Sequence, residues 1–169
     1  MKLYSEQCLV VLGLGSNCGD SRQIITGAVK ALAEILSNLR CASLYETAPL
    51  YVKDQARFIN TAVTGYFSGT PDKLLQDVYK IETFFGRDRS REQRWGPRLL
   101  DIDILLFGDL VLDTPALQIP HPRLKERRFA LEPLLELLPD VTEPGTGFSY
   151  RSVCDALPEQ GVKRGLPAR

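Results

Sequence analysis

Apolar residues recur along the chain in two patterns, one typical of strands and one typical of helices. Runs rich in leucine, β-branched and aromatic residues predict strands at four places: residues 8–14, 39–47, 58–67 and 99–107. Between them, apolar residues recur at helical spacing, first in a segment that begins near residue 20 and again in one that begins near residue 70.

Both helical segments begin with a recognisable N-cap. Asp20 and Gln23 form a sequence typical of a capping box, and Thr70 precedes a proline at the first helical position. Gly86 is placed to end the second helix. The resulting element order, β-α-β-β-α-β, predicts an α+β protein with a ferredoxin-like core.

The remaining chain predicts an extension of that core by helix and short strands. Residues 110–112 predict a short strand, and residues 129–138 predict a helix that starts or breaks at Pro133. Residues 158–169 combine glycine, proline and charge and predict a mobile tail. The sequence has no internal repeat and no low-complexity linker, so we expect one domain over residues 1–169.

Two carboxylates interrupt the last apolar strand. Because side chains alternate along a strand, Asp101 and Asp103 share one side, about 6.6 Å apart, and we expect Leu100, Ile102, Ile104 and Leu106 on the other. Two like charges at that spacing repel by about 2.5 kcal/mol at an effective dielectric constant of about 20. An arginine, a shared proton or a hard cation could compensate.

The arginines around this strand favour the cation. Five arginines lie within residues 87–98, opposed only by Asp88 and Glu92, and guanidinium groups suit bidentate contact with phosphate. Mg²⁺ commonly bridges carboxylates to phosphates, so we expect metal-assisted chemistry on a phosphorylated substrate. The alternative is that both aspartates face water on an edge strand while the arginines solvate a loop.

Composition narrows the choice of partners. The formal net charge is zero, unlike that of most nucleic-acid-binding domains, so the local basic clusters suggest a small anionic ligand. The four cysteines are scattered and there is one histidine, so no zinc site is predicted. Apolar stretches are too short to cross a membrane. We therefore expect a soluble, cytoplasmic protein with free thiols.

A glycine-rich segment follows the first strand, at residues 13–19. Its third glycine falls one position too late for the dinucleotide-binding pattern G-x-G-x-x-G, and the chain has no Walker A motif. The segment therefore predicts a tight turn from strand to helix.

Two long motifs resemble those of the 6-hydroxymethyl-7,8-dihydropterin pyrophosphokinases, enzymes of folate biosynthesis. Residues 94–106 read RWGPRLLDIDILL, and residues 120–129 read PHPRLKERRF. The resemblance implies transfer of pyrophosphate from ATP to the hydroxymethyl group of the pterin, with release of AMP. It also implies a monomer that takes two small-molecule substrates and two Mg²⁺ ions.

The same resemblance implies roles for individual residues. Metal ligands are Asp101 and Asp103, and these act in catalysis together with Arg87 and Arg98. The pterin site comprises Thr47, Leu50, Phe58, Asn60, Trp95 and Phe129. The ATP site comprises Glu82, Arg87, Arg98, His121 and Arg127. Asn60 lies one strand period from Phe58, so its amide shares that side and can pair with the pterin edge.

Two other functions are consistent with these residues. A non-catalytic ferredoxin-like module could sense a nucleotide in the same pocket and would form no AMP. An ordinary kinase would release ADP. The pattern assigns no role to Arg89, Ser90 or Arg91.

Overall fold

An antiparallel sheet forms the centre of the protein in a computed structural model that describes residues 7–49, 54–88, 90 and 96–167. The sheet strands are β1 (Cys8–Ser16), β2 (Ser37–Cys41), β3 (Ser43–Thr47), β4 (Phe58–Phe67), β5 (Asp101–Phe107) and β8 (Lys163–Pro167). Their spatial order is β5-β1-β4-β3-β8, and β2 also pairs with β4.

Two helices connect the strands of the predicted core. The helix α1 (Ser21–Ala33) links β1 to β2, and α2 (Pro71–Phe84) links β4 to β5. This order and the antiparallel pairing confirm the predicted ferredoxin-like α+β fold. The extension is a hairpin of β6 (Leu112–Asp113) and β7 (Gln118–Ile119), a 3₁₀ turn at Leu124–Glu126, α3 (Arg128–Leu137) and α4 (Tyr150–Ala156).

The predicted helix caps are confirmed. The Asp20 carboxylate accepts a hydrogen bond from the backbone N–H of Gln23, and the Thr70 hydroxyl accepts one from the backbone N–H of Lys73. Gly86 follows the end of α2 with φ +89°, a conformation that only glycine adopts without strain. The chain therefore turns sharply from α2 towards the arginine-rich loop.

Helices cover both faces of the sheet. Ala28 and Leu32 of α1 pack with Leu74 and Val78 of α2 against one face. The opposite face packs against α3, and α4 packs on α3; the buried side chains of these two helices include Leu131, Leu134, Tyr150 and Cys154. Strand β1 is buried by both layers because its side chains alternate between them. The three layers leave one corner for a site, at the start of β5.

Two strand predictions need correction. The strand predicted at residues 39–47 begins at Ser37 and is divided at Ala42, where the Thr61 hydroxyl donates to the carbonyl oxygens of Ala42 and Ser43. Leu106 packs on the α3 side, not with Ile102 and Ile104. The β1–β5 register shifts at a bulge next to Leu12, and the extra residue reverses the alternation.

The extension also differs from its prediction. Pro133 lies inside α3 without interrupting it, because Leu131, Leu134 and Leu135 are buried around it and stabilise the continuous helix. The short strand predicted at residues 110–112 is β6, at Leu112–Asp113. Residues 163–167, which the sequence places in a mobile tail, form β8 and pair with β3.

Candidate active site

Two cavities meet at the start of β5. The first lies over the sheet, between β3 and β4 on one side and α3 on the other. The second lies between α2 and the β6–β7 hairpin. Both are lined by the same four polar residues: Arg98, Asp101, Asp103 and His121. A group bound in one cavity can therefore reach a group bound in the other across the carboxylate pair.

The β5 strand presents both carboxylates at this junction. Ile102 and Ile104 point into the core and are each 4 % exposed, so the intervening Asp101 and Asp103 face the cavities. In the neighbouring strand, Gly15 pairs with Asp101 and Gly13 pairs with Asp103. Cross-strand partners share a face, so both glycines line the first cavity on the same side of the sheet as the carboxylates.

Gly15 has no side chain at the point where the Asn60 amide approaches β1. A Cβ at this position would lie 2.9 Å from Oδ1 of Asn60, a contact that real structures do not tolerate. Gly15 pairs with Asp101 on one side and with Asn60 on the other, so these two polar residues lie two strand spacings apart, about 9.6 Å. The missing side chain at Gly15 therefore gives the Asn60 amide room to approach β1.

Two arginines neutralise Asp101. Arg87 Nη1 lies 2.6 Å from Asp101 Oδ1, and Arg98 Nη1 lies 2.6 Å from Asp101 Oδ2. Burial favours the neutral carboxyl, but the charges of Arg98 and Arg87 outweigh this effect and hold the pKa of Asp101 below its ordinary value. Asp101 is therefore ionised at neutral pH.

An ion pair with Glu82 holds the Arg87 side chain in place. The Arg87 side chain is 4 % exposed, and its Nη1 also donates to Oε1 of Glu82, which is 1 % exposed. The same Glu82 oxygen accepts the backbone N–H of Ile102 at 2.8 Å. Glu82 thus joins the end of α2 to β5, and it is absent from the described linings of both cavities.

Asp103 has weaker partners than Asp101. Arg127 Nη1 lies 3.4 Å from Oδ2 of Asp103, and His121 Nε2 lies 3.7 Å from the same oxygen. Desolvation, followed by the charge of Asp101, raises the pKa of Asp103 to about 7. Desolvation and Arg127 lower the pKa of His121 to about 4, so this imidazole is neutral at pH 7. Asp103 is consequently the carboxylate that can readily exchange its partner.

The first cavity combines aromatic walls with amide and hydroxyl groups. Phe58 and Phe129 line it, and Arg127 Cζ lies 5.6 Å from the centre of the Phe129 ring. Asn60 Nδ2 donates to Oγ1 of Thr47 at 2.8 Å, which orients the Asn60 side chain at the cavity wall. Stacking surfaces beside fixed polar groups suit a planar, hydrogen-bonding heterocycle.

The second cavity is more polar and borders the hairpin. Leu75 and Tyr79 of α2 line it on one side, and residues 114–118 line it on the other. His121 is held at its edge, because its backbone N–H donates to the carbonyl oxygen of Leu105 and its Nδ1 accepts the backbone N–H of Arg123. The cavity can hold an elongated polar ligand whose charged end reaches Arg87 and Arg98.

Asn17 forms hydrogen bonds with two loops at the site, one at Arg98 and one at residues 55–56. Its Oδ1 accepts the backbone N–H of Arg98 at 2.8 Å, and its backbone N–H donates to the carbonyl oxygen of Arg98 at 3.0 Å. Its Nδ2 donates to Gln55 Oε1 and to the carbonyl oxygen of Ala56. The prediction of a turn over residues 13–19 is correct only for its second half, because residues 13–16 continue β1 and pair with β5. Asn17, the first residue after β1, positions the backbone that carries Arg98.

The structure gathers most of the residues named from the sequence at this corner. Those lining a cavity are Thr47, Phe58, Asn60, Arg87, Arg98, Asp101, Asp103, His121, Arg127 and Phe129. Glu82 contacts Arg87 but is absent from the described linings of both cavities. Leu50 and Trp95 fall outside the described residues, so their predicted roles stay predictions. Arg89 and Arg91, to which the sequence assigns no role, also lie outside them.

Sequence reasoning missed the glycine pair, Asn17 and the wall of the second cavity. Gly13 and Gly15 were interpretable as turn residues, although their spacing of two within an apolar run places both on one face of a strand. Tyr79 had a weaker signal, namely its position one turn after Leu75 on the exposed side of α2.

Comparison with known families decides the relationship. Residues 11–139 match the family model for 7,8-dihydro-6-hydroxymethylpterin-pyrophosphokinase. The chain belongs to this family. The matched segment includes both carboxylates, all the described residues that line the two cavities and the whole of α3.

The names of individual relatives agree with this family assignment. A 2-amino-4-hydroxy-6-hydroxymethyldihydropteridine pyrophosphokinase of Bacillus subtilis is 41% identical over 140 residues, which cover 82% of this chain and 83% of that protein. The folic acid synthesis protein fol1 of Pneumocystis carinii is 35% identical over 159 residues, and the chain spans 21% of its length. The chain thus spans about a fifth of the length of such fungal relatives.

A solved structure resembles the whole described fold. Wild-type HPPK-DHPS of Plasmodium falciparum superposes with a TM-score of 0.72 at 16% sequence identity, covering 94% of this chain and 48% of that one. At that identity the likeness concerns the fold alone.

Proposed function

We propose that the protein transfers the terminal pyrophosphoryl group of ATP to the hydroxymethyl oxygen of 6-hydroxymethyl-7,8-dihydropterin, which yields AMP and the pterin diphosphate. One observation carries the proposal, namely that an aromatic cavity and a polar cavity meet at Asp101 and Asp103. A reaction between a heterocycle and a nucleotide needs both binding sites and a shared centre. Membership of the pyrophosphokinase family supports the same reaction.

The carboxylate pair fits Mg²⁺. Hard cations of this type are held by one or two carboxylates together with substrate phosphate oxygens. Asp101 and Asp103 supply the two carboxylates, and the described residues contain no cluster of three or more His, Cys, Asp or Glu that would form a complete protein cage. We propose that the pair holds two Mg²⁺ ions. When bound, they neutralise phosphate charge.

The arginines stabilise the charge that develops during transfer. The hydroxymethyl oxygen attacks the β-phosphorus and releases its proton to solvent. The bond from that phosphorus to the oxygen bridging the α-phosphorus breaks, and AMP leaves with that oxygen. Arg87 and Arg98 border the second cavity beside Asp101, where their guanidinium groups can contact the transferred phosphates. In this proposal they exchange a carboxylate partner for phosphate oxygens as the nucleotide binds.

The pterin occupies the first cavity. Phe58 and Phe129 offer aromatic faces, while Asn60 and Thr47 offer donors and acceptors to the edge of the ring. Leu50 and Trp95 complete this site in the prediction from the family motif. His121 lines both cavities and Arg127 lines the first, and each lies near Asp103. From there, in this proposal, they reach the nucleotide phosphates across the junction.

Two further properties belong to the proposal. We propose a monomer, because helices cover both faces of the sheet; sedimentation velocity at two protein concentrations tests this. We also propose a reducing compartment such as the cytoplasm, which is supported by four cysteines that are all free, although one relative from Pisum sativum is mitochondrial. No helix of the described residues is long and apolar enough to span a bilayer.

Product analysis tests the reaction. The purified protein is incubated with ATP, Mg²⁺ and 6-hydroxymethyl-7,8-dihydropterin, with controls that omit the pterin or the metal, and the nucleotides are separated. AMP only in the complete mixture is the expected result. ADP would indicate an ordinary kinase, and unchanged ATP would indicate a binding module.

A further inference from the structure

A second polar cluster lies outside the two cavities, where α3 crosses β3 and β8. Glu136 of α3 is its centre. Its Oε1 accepts hydrogen bonds from the backbone N–H and the hydroxyl of Ser43, at 3.0 and 2.9 Å, and its Oε2 accepts one from the Tyr45 hydroxyl at 2.6 Å. Both oxygens of a half-buried carboxylate are therefore occupied by β3.

The last described strand completes the cluster. Arg164 of β8 lies with Nη2 3.0 Å from Oε1 of Glu136, and its Nε donates to the Ser43 hydroxyl at 3.2 Å. Tyr45 and Arg164 are cross-strand partners, so their side chains share the face that carries α3. β8 thus supplies the cation that balances a charged contact between helix and sheet.

Geometry links this cluster to the first cavity. Phe129 and Glu136 are seven residues apart in α3, so they lie on the same side of the helix about 10.5 Å apart along its axis. On β3, Tyr45 and Thr47 are two residues apart and face the same side. Tyr45 also pairs with Asn60 of β4. The contact at Glu136 therefore fixes how α3 lies over the two strands that carry Thr47 and Asn60.

We infer that Glu136 and Arg164 are positioning residues that set the separation between the Phe129 ring and the polar wall of the pterin cavity. The inference rests on the proposed function, because it assigns the first cavity to the pterin. The second cavity lies between α2 and the β6–β7 hairpin, and Glu136 and Arg164 are absent from its described lining, so we expect nucleotide binding to be independent of the cluster.

Ligand binding to variants tests the inference. Glu136→Gln keeps the size of the side chain and removes its charge, Arg164→Ala removes the cation, and Arg164→Lys retains it. Lys163→Ala is the matched control, because Lys163 is the neighbouring cation of β8 and faces the opposite side of the strand. Binding of 6-hydroxymethylpterin and of Mg²⁺ with α,β-methylene ATP is measured separately by calorimetry.

We expect Glu136→Gln and Arg164→Ala to weaken pterin binding by about fivefold or more, with nucleotide binding changed less than about twofold. Arg164→Lys and Lys163→Ala should bind the pterin like the wild type. Equal weakening of both ligands would indicate a merely structural cluster and overturn the inference, as would unchanged pterin affinity. A wild-type protein that does not bind the pterin would overturn the proposed function itself.

Hydrogen exchange gives a second readout that needs no ligand. In Arg164→Ala, amides of residues 43–47 and 128–131 should exchange faster than in the wild type, while those of α2 should be unchanged. Unchanged exchange in the first two segments would contradict the positioning role even if the variant bound pterin weakly.

Discussion

Asp101 and Asp103 lie two positions apart on the same strand, but their ion-pair partners differ. Asp101 has two arginine partners at 2.6 Å, whereas the nearest cationic nitrogen to Asp103 is at 3.4 Å among the described ion pairs. The sequence offers three ways to offset the repulsion between these carboxylates: an arginine, a proton or a cation. Arginines neutralise Asp101, and a proton neutralises part of the Asp103 population near neutral pH. The third compensation is a bound metal cation, which would replace the arginines at Asp101 and the proton at Asp103.

Metal affinity should therefore depend on pH through Asp103. Because the pKa of Asp103 is about 7, protons compete with the metal below that pH, and Mg²⁺ binding should be about tenfold weaker at pH 6 than at pH 8. Calorimetric titration of Mg²⁺ at saturating α,β-methylene ATP measures this. Asp103→Asn is the control for titration of the nucleotide, and an equal pH dependence in that variant would contradict the assignment.

The same residue should lower stability at high pH. A pKa raised on folding means that the native state binds more protons than the unfolded state between about pH 4 and 7, so ionised Asp103 destabilises the native state above pH 7. We expect Asp103→Asn to raise the urea midpoint at pH 8, with a smaller gain at pH 5. A gain that is the same at both pH values would contradict this explanation.

Arg98 should act mainly in the transition state. Arg98→Ala removes a guanidinium group placed to stabilise charge on the transferred phosphates, and we expect kcat to fall by about 10²-fold or more while the Kd for ATP changes by less than about threefold. Steady-state kinetics and equilibrium binding measure the two effects. Arg151→Ala, at an exposed position of α4, is the control. An unchanged kcat with a raised KM would show uniform binding instead.

At the scale of elements, local chemistry determines where each helix begins. Thr70 caps α2, whose far end carries Glu82 and leads to Arg87. Thr70→Ala should lower the free energy of unfolding by about 1 kcal/mol without changing kcat, because the cap lies at the end of α2 remote from the site. Thr26→Ala in α1, whose hydroxyl bonds back to the carbonyl oxygen of Arg22, should cost less. Equal losses in both variants would contradict a specific capping effect.

The predictable elements were those with strong local signals. The caps at Asp20 and Thr70 and the strand at Phe58–Phe67 were all predicted from the sequence and are all present. The bulge that turns Leu106 towards α3 has no local signal, because it depends on the register between β1 and β5. β8 was also missed, since its pairing with β3 and the bond from Arg164 to Glu136 are contacts between distant residues.

At the scale of the molecule, the fold brings distant segments to one corner. Antiparallel pairing places Gly15 of the first strand between Asp101 and Asn60, and α2 delivers Glu82 and Arg87 to the same place. The sequence indicated a metal-assisted reaction from the carboxylates and arginines alone. It could not indicate that two cavities share those carboxylates, because the second cavity depends on how the β6–β7 hairpin packs against α2.

If the corner shared by the two cavities is the reaction centre, the turnover of Asp103→Ala should be lost while the fold is kept. We expect AMP formation to fall by about 10³-fold or more, with an unchanged circular dichroism spectrum and an unfolding midpoint at least as high as that of the wild type. Asp109→Ala, an exposed carboxylate just beyond β5, should retain full activity. Substantial pyrophosphoryl transfer by folded Asp103→Ala would show that the reaction centre lies elsewhere.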